Sequence, residues 1–337
     1  MSRLRTVFAA FALPFFLALP AALAQPGNVP SRRDDSARPA PRPVLMVTDC
    51  GVDMDDQWAL AHLALSPEFN LVGVVTTHAP TLAAPAAQTS ARVARDVLDH
   101  LPLRFRPLVI PGSSVPLAGR KPQPNPGVDF LLRRSRSHSP DRRLDLLLTG
   151  AATDVASALL IDPGLGDRIR VIAMGFNNWP RGTDPFNVKN DVTAWQVLLE
   201  SRAPVVIGDT AVTNRYLRMT REKARELFYP RGAPGVYLAN ILISWLDDNG
   251  DLVRSITGNR NAWPVWDEVT VAYLLGLTKS RVHPRPVLRD DMTFEHPASG
   301  RRAGQAAREV VWITAIDAQR LWADFTYKLD RALALHH

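Results

Sequence analysis

From residue 44 onward the chain alternates short, largely apolar runs with longer stretches whose apolar positions recur every three or four residues. The short runs predict buried strands over Leu45–Thr48, Leu71–Thr77, Pro107–Ile110, Leu144–Thr149, Ile169–Met174 and Pro204–Ile207. The longer stretches predict helices over Asp55–Leu65, Ala86–His100, Thr153–Leu160 and Val192–Ser201. Strands of this kind joined by helical crossovers make a doubly wound, mostly parallel α/β sheet, because parallel neighbours need a long connection and helices then cover both faces. Ligands of such sheets lie beyond the carboxyl ends of the strands. Asp49, Thr77, His78, Gly150 and Gly175 fall at or just after those ends. The rhythm breaks over residues 246–264, LDDNGDLVRSITGNRNAWP, which reads as a polar loop, either a lid or binding loop or a disordered surface insertion.

The segment before this body has another character. Residues 1–24 carry Arg3 and Arg5, no acid, an apolar run from Thr6 to Leu19 and an Ala22-Leu23-Ala24 step, the pattern of a cleaved signal peptide. Residues 25–43 are rich in proline and arginine and read as an extended linker; residues 44–337 then form a single catalytic domain. The expected address is therefore secreted or periplasmic. No other run has the roughly 18–20 apolar residues of a membrane span, so no membrane contact is expected after cleavage.

Composition adds exclusions. With 46% hydrophobic residues the chain can build a core, and a single cysteine, Cys50, cannot form an internal disulfide. The formal charge of +7 is concentrated outside the body, since the signal holds two arginines and the linker four against two aspartates. The densest basic run, RRSRSHSPDRR at 133–143, has no interleaved aromatic residue and reads as a solvated loop, so no nucleic-acid partner is expected. The chain contains no GxGxxG, GxxxxGK[ST], GxSxG or HExxH motif, which removes support for dinucleotide oxidoreductases, P-loop kinases, serine hydrolases and zincins.

Chemistry concentrates in LMVTDCGVDMDDQWALAHLAL, residues 45–65, where Asp49, Asp53, Asp55 and Asp56 meet at the junction of a strand and a helix. Two bare carboxylates about 4 Å apart repel by about 4 kcal/mol at an effective dielectric near 20, so their convergence calls for a cation, a shared proton or outward rotation. An all-oxygen set suits a hard cation, Ca²⁺ or Mg²⁺. The competing account is that Asp55 or Asp56 caps the helix while Asp53 is solvated.

The stretch TDCGVDMDDQWAL resembles the amino-terminal signature of the inosine-uridine nucleoside hydrolases. The likeness continues in order through PGSSVPL (111–117), LLLTGAATDVASAL (146–159), IRVIAMGFNNW (169–179), PFNVKNDVTAW (185–195) and VWDEVTVAYLLG (265–276). It implies a Rossmann-like core and a Ca²⁺-dependent N-ribohydrolase acting on a small-molecule nucleoside or riboside, in a homo-oligomer of two or four chains. Asp49 would then be a calcium ligand and the general base on the water held by Ca²⁺. Asp56 and Asp267 would be further ligands, and Thr153 would give its backbone carbonyl. Asp55, or Asp53 in its place, would hold ribose hydroxyls together with Asn187; Asn178 could reach the 5′ hydroxyl. The departures from the family pattern are two additional residues between Asp49 and the Asp55-Asp56 pair, Pro185 where a glutamate is common, and Trp266 where many members have a histidine. Trp266 cannot donate a useful proton but offers a face to a purine. His78 is the nearest substitute acid, against the alternative of a structural histidine. Trp266 and Pro185 keep open a nucleoside- or ribose-binding protein without turnover; a metal-dependent phosphohydrolase built on the same strand-end Asp49 is a further reading, weakened by the absence of an Asp-x-Asp at 49–51. Cys50, beside Asp49, is expected to let a thiol reagent report on the site.

Overall fold

A computed structural model describes residues 40–296 and 308–335. The expected signal peptide and all but the last few residues of the linker lie outside the described residues. The strands are β1 (Arg42–Thr48), β2 (Phe69–Thr76), β3 (Val109–Pro111), β4 (Leu144–Leu148), β5 (Ile169–Met174), β6 (Val205–Gly208), β7 (Arg218–Thr220), β8 (Ala262–Pro264), β9 (Thr278–Pro284), β10 (Val287–Leu288), β11 (Phe294–Glu295) and β12 (Glu309–Ile316). The helices that matter below are α1 (Asp55–Leu65), α2 (Ala86–Asp99), α3 (Pro126–Ser135) and α4 (Thr153–Ile161), followed by the short α5 (Leu165–Arg168) and α6 (Asn187–Asn190) and by α7 (Val192–Glu200). The chain continues through α8 (Thr210–Tyr216), α9 (Arg221–Phe228), α10 (Gly232–Asp248), α11 (Gly250–Thr257), α12 (Glu268–Leu274) and α13 (Ala318–Ala334).

Eight strands form one sheet in the order β3-β2-β1-β4-β5-β6-β12-β9, parallel throughout except for β9, which runs antiparallel to β12 at the edge. The strand order reverses direction between β1 and β4, where crossovers leave for opposite sides. That gap is the topological switch point of the fold.

Side chains alternate faces along each strand, and the two cores divide accordingly. Val44 and Met46 of β1 join one core with α1, α10, α12 and α13, while Leu45 and Val47 join the other with α3, α4 and α7. Apolar residues on both faces explain why β1 appears in the sequence as an unbroken apolar run and β4 as one interrupted only by Asp145, which pairs with Arg170 of β5. The predicted strands and helices are all present with small shifts at their ends. Residues 246–264 differ from expectation. They form the end of α10, the helix α11 and the strand β8, with Val253, Ala262 and Trp263 buried, so this stretch is packed structure and not a loop.

Candidate active site

The turn after β1 sets the geometry of the acids. Gly51 has φ +99, a left-handed value that a side chain would strain, and it lets the chain turn back so that α1 starts at Asp55. The first turn of α1 has no side-chain cap from its N-cap residue, Met54. Instead Asp53 accepts from the Asp55 N–H and Asp55 from the Asp56 N–H, both at 3.0 Å. Asp53 and one oxygen of Asp55 thus serve the helix end, which leaves Oδ2 of Asp55 and the Asp56 carboxylate for another purpose.

Asp55, Asp56 and Asp267 are buried, and each offers one carboxylate oxygen to a group in which all three lie within 4.8 Å of one another. Asp267 comes from the far end of the chain, immediately before α12, and its backbone N–H donates to Asp55 Oδ2 at 3.2 Å. Asp56 is anchored from behind: Thr48 of β1 and Thr149 just after β4 both donate to its Oδ1, the latter at 2.8 Å. This straddles the switch point and leaves Oδ2 of Asp56 available.

Asp49, only 3% exposed, stands against Asp56. Burial, then the charge of Asp56 and a hydrogen bond shared with it, hold the Asp49 carboxyl well above the usual carboxylate range. Burial likewise raises Asp55, with Asp53 as the next contributor, and Asp267, with Asp55 next. Asp56 is pushed up to about 6 by burial, against the pull of its two threonine hydrogen bonds. Four acids pushed up together at the mouth of a switch point are poised to exchange protons for a divalent cation.

Gly150 makes this approach feasible. A Cβ there would lie 2.9 Å from both Asp49 Cγ and Thr77 Cγ2, closer than real side chains pack. Gly150→Ala is therefore expected to cost about 1–3 kcal/mol through overpacking and to displace Asp49, read as a lower melting temperature together with weaker cation binding by calorimetry. Native values for both would show that the site tolerates the extra atom.

The other expected residues divide. His78, buried after β2, donates from Nε2 to the Thr153 hydroxyl at 2.8 Å, and that hydroxyl donates to Asp191 Oδ2 at 2.7 Å. Burial lowers the His78 pKa, and the charge of Asp191 only partly offsets this. The ring is thus a fixed neutral donor at the start of α4. Asn187 spans the ends of β4 and β5, its amide donating to the carbonyls of Thr149 and Met174, both at 3.2 Å. Trp266 precedes Asp267 and donates to Asn214 Oδ1 at 2.9 Å, while Trp263 packs edge-on against it at 4.9 Å and donates to Asp53 at 3.3 Å. Asn178 lines a cavity of about 390 Å³ with Trp179, Asp209 and Arg215. Cys50 is fully buried, hydrogen-bonded to Thr48, with its thiol pKa raised by burial, so a reagent cannot use it as a reporter. Thr48, Thr149 and Asp191 escaped the sequence reading; the available signal was a polar residue closing an apolar run, and for Asp191 its place ahead of α7, where it caps Ala194 N–H at 2.9 Å.

Comparison with known proteins agrees with this architecture. No curated protein is similar to the chain at the level of sequence. A purine-preferring ribonucleoside hydrolase from Gardnerella vaginalis superposes with a TM-score of 0.69 at 18% identity, over 87% of this chain and 100% of that one. A plant nucleoside hydrolase gives 0.67 at 14% identity, over 86% and 99%. The inosine-uridine preferring nucleoside hydrolase of Bacillus anthracis gives 0.64 at 18% identity, over 86% and 99%. The family model for inosine-uridine preferring nucleoside hydrolases matches residues 44–323, nearly all of the sheet and every acid of the cluster, and the chain belongs to that family of N-glycosyl hydrolases.

Proposed function

We propose that this protein is an exported Ca²⁺-dependent nucleoside hydrolase that releases free base and ribose, with Asp49 as general base. The observation that carries the reading is the buried set of Asp55, Asp56 and Asp267 beside Asp49. The donor set fits a hard cation: it is all oxygen, it is held by helix and strand ends, and its members raise one another's pKa. Asp49, Asp56, Asp267 and the Thr153 carbonyl would hold Ca²⁺. When bound, the cation would acidify a water and offset the charge of the acids.

The chain's own groups do the rest. Asp49 removes a proton from the attacking water, burial and the neighbouring Asp56 making its carboxylate a stronger base than an ordinary one. Asp55 and Asn187 receive the ribose hydroxyls, Asp53 being engaged by the start of α1 and by Trp263. The negative charge of the aspartates favours an oxocarbenium-like transition state, in which positive charge develops on the sugar as the glycosidic bond loosens. Trp266, tied to Asn214, presents a flat face for the departing base. His78 holds Thr153 in place, and Asn178 stands for the 5′ end of the nucleoside.

The test is a nucleoside panel with the purified protein, following free base by chromatography and ribose as reducing sugar. Equimolar base and ribose, faster from inosine and guanosine than from uridine and cytidine, are expected. Nucleoside binding without turnover would support the binding-protein alternative, and phosphate release from nucleotides the phosphohydrolase.

A further inference from the structure

Beneath the acidic cluster lies a second set of buried charges that the proposed chemistry does not use. His62 and Glu268 have fully buried side chains, and His62 Nδ1 lies 2.9 Å from Glu268 Oε2. The other ring nitrogen, Nε2, lies 3.0 Å from Asp324 Oδ2 on α13. Lys328 Nζ, also buried, forms ion pairs with Asp324 at 2.5 Å and Glu68 at 2.7 Å. The His62 ring stacks on Phe325 with centroids 4.4 Å apart and planes 3° from parallel. Both ring nitrogens therefore face carboxylate oxygens, which accept only, and a ring that donates twice is an imidazolium. Burial works against that charge and Lys328 opposes it, but the charge of Glu268 and the two hydrogen bonds prevail and raise the His62 pKa.

The placement of this ring is informative. His62 is seven residues after Asp55 on α1, two turns along the same face and about 10 Å deeper. Glu268 is the first residue of α12 and the neighbour of Asp267. The two helices that bring Asp55-Asp56 and Asp267 together are thus joined twice, by Asp267 N–H on Asp55 at the cluster and by His62 on Glu268 below it. Asp55 and Asp267 are 212 positions apart, so helix packing alone fixes their separation. Oxygen ligands of Ca²⁺ sit at about 2.3–2.6 Å, and a shift of α12 by a fraction of that would spoil the set.

We propose that His62 is a positioning residue, an imidazolium clamp that holds α12 against α1 and sets the distance from Asp55 and Asp56 to Asp267. The inference rests on the proposed cation site. It gives α13 a part in the site as well, since Asp324, Phe325 and Lys328 hold the far side of the ring although they lie beyond residue 323, where the family match ends.

The test is Ca²⁺ calorimetry on the native protein and on the double variant His62→Leu/Glu268→Met, which replaces the buried pair by apolar side chains of similar volume and so leaves no unpaired charge. A native-like melting transition with a Kd for Ca²⁺ raised about tenfold or more is expected, the size seen when a group behind a metal ligand is lost. At saturating Ca²⁺, kcat is expected to return to near the native value, a split that a general loss of structure would not produce. A folded double variant with the native Kd overturns the clamp. If the double variant does not fold, Asp324→Ala decides: it removes the acceptor of the outer ring nitrogen while sparing Glu268, and an unchanged Kd overturns the inference. Native protein that takes up no Ca²⁺ would overturn the site reading and the clamp with it, whereas native binding shared by the variants overturns the clamp alone.

Discussion

Asp49→Asn is expected to leave a folded protein whose kcat on its best nucleoside is lower by about 10² to 10⁴, the range general bases contribute. An amide has the shape of the carboxyl but cannot take the proton from water. The same change should not destabilise the protein when chelator is present. Asp49 is buried against Asp56, and its raised pKa means that its negative charge is disfavoured in the folded state. Replacing it removes that repulsion, so the melting temperature in chelator is expected to hold or rise while activity falls. Opposite movement of activity and stability marks a residue kept for chemistry. Turnover within tenfold of native at saturating Ca²⁺ would assign the base elsewhere, and a large fall in melting temperature would make Asp49 a structural acid.

Removal of the cation should have the other large effect, and its size should depend on pH. Asp56 is pushed up to about 6 and Asp49, Asp55 and Asp267 are also raised, whereas in the unfolded chain each titrates near 3.9. Between those values the folded protein holds more protons than the unfolded one, so stability in chelator falls as pH rises from about 4 through 6. His62 acts in the same sense, because a raised imidazolium pKa gives stability below about 6.5 that is lost as pH climbs through the folded value. Ca²⁺ competes with the carboxyl protons. Its stabilising effect is therefore expected to be small at pH 5 and large at pH 7.5, about 5–10 °C at a hundredfold excess over Kd. Activity should vanish in chelator and return with Ca²⁺. Calorimetry in buffers of different ionisation enthalpy should register protons released on binding near pH 6. Stability in chelator that rises from pH 5 to 7.5, or no proton release, would show that the acids are already ionised and not waiting for a cation.

Most of the sheet was legible in the sequence because β1, β2, β4, β5 and β6 are largely apolar on both faces, interrupted only by single polar residues such as Asp145 and Arg170, whereas β12 went unread. The outer part was not. β9, TKSRVHP, lies at the sheet edge with most of its residues exposed, and its composition is that of a loop. α11 hides among Gly250, Gly258 and several asparagines, and only Val253 and Thr257 of its eight residues are buried, too little to mark an apolar face. The site divides similarly. Asp49, Asp53, Asp55 and Asp56 could be found from local crowding, and Asp267 only from the family likeness, because nothing near it in sequence is acidic except Glu268. The threonines that anchor Asp56 belong to two strands about a hundred residues apart, and their pairing exists only once β1 and β4 are neighbours. Asp53 shows the limit of crowding as a guide: it shares the cluster's sequence but spends one oxygen on the end of α1 and the other on Trp263.

The contact between Asp55 and Asp267 also constrains how the molecule is made. Its two halves of the acidic cluster lie at opposite ends of the folded body, so a growing or refolding chain possesses the first three acids long before the last one arrives. Pairings of such long range form slowly, after the local helices. Until they form, the cluster lacks its last carboxylate, Asp267. On the proposed reading, capture of a cation would therefore follow the closing of the C-terminal third onto the sheet.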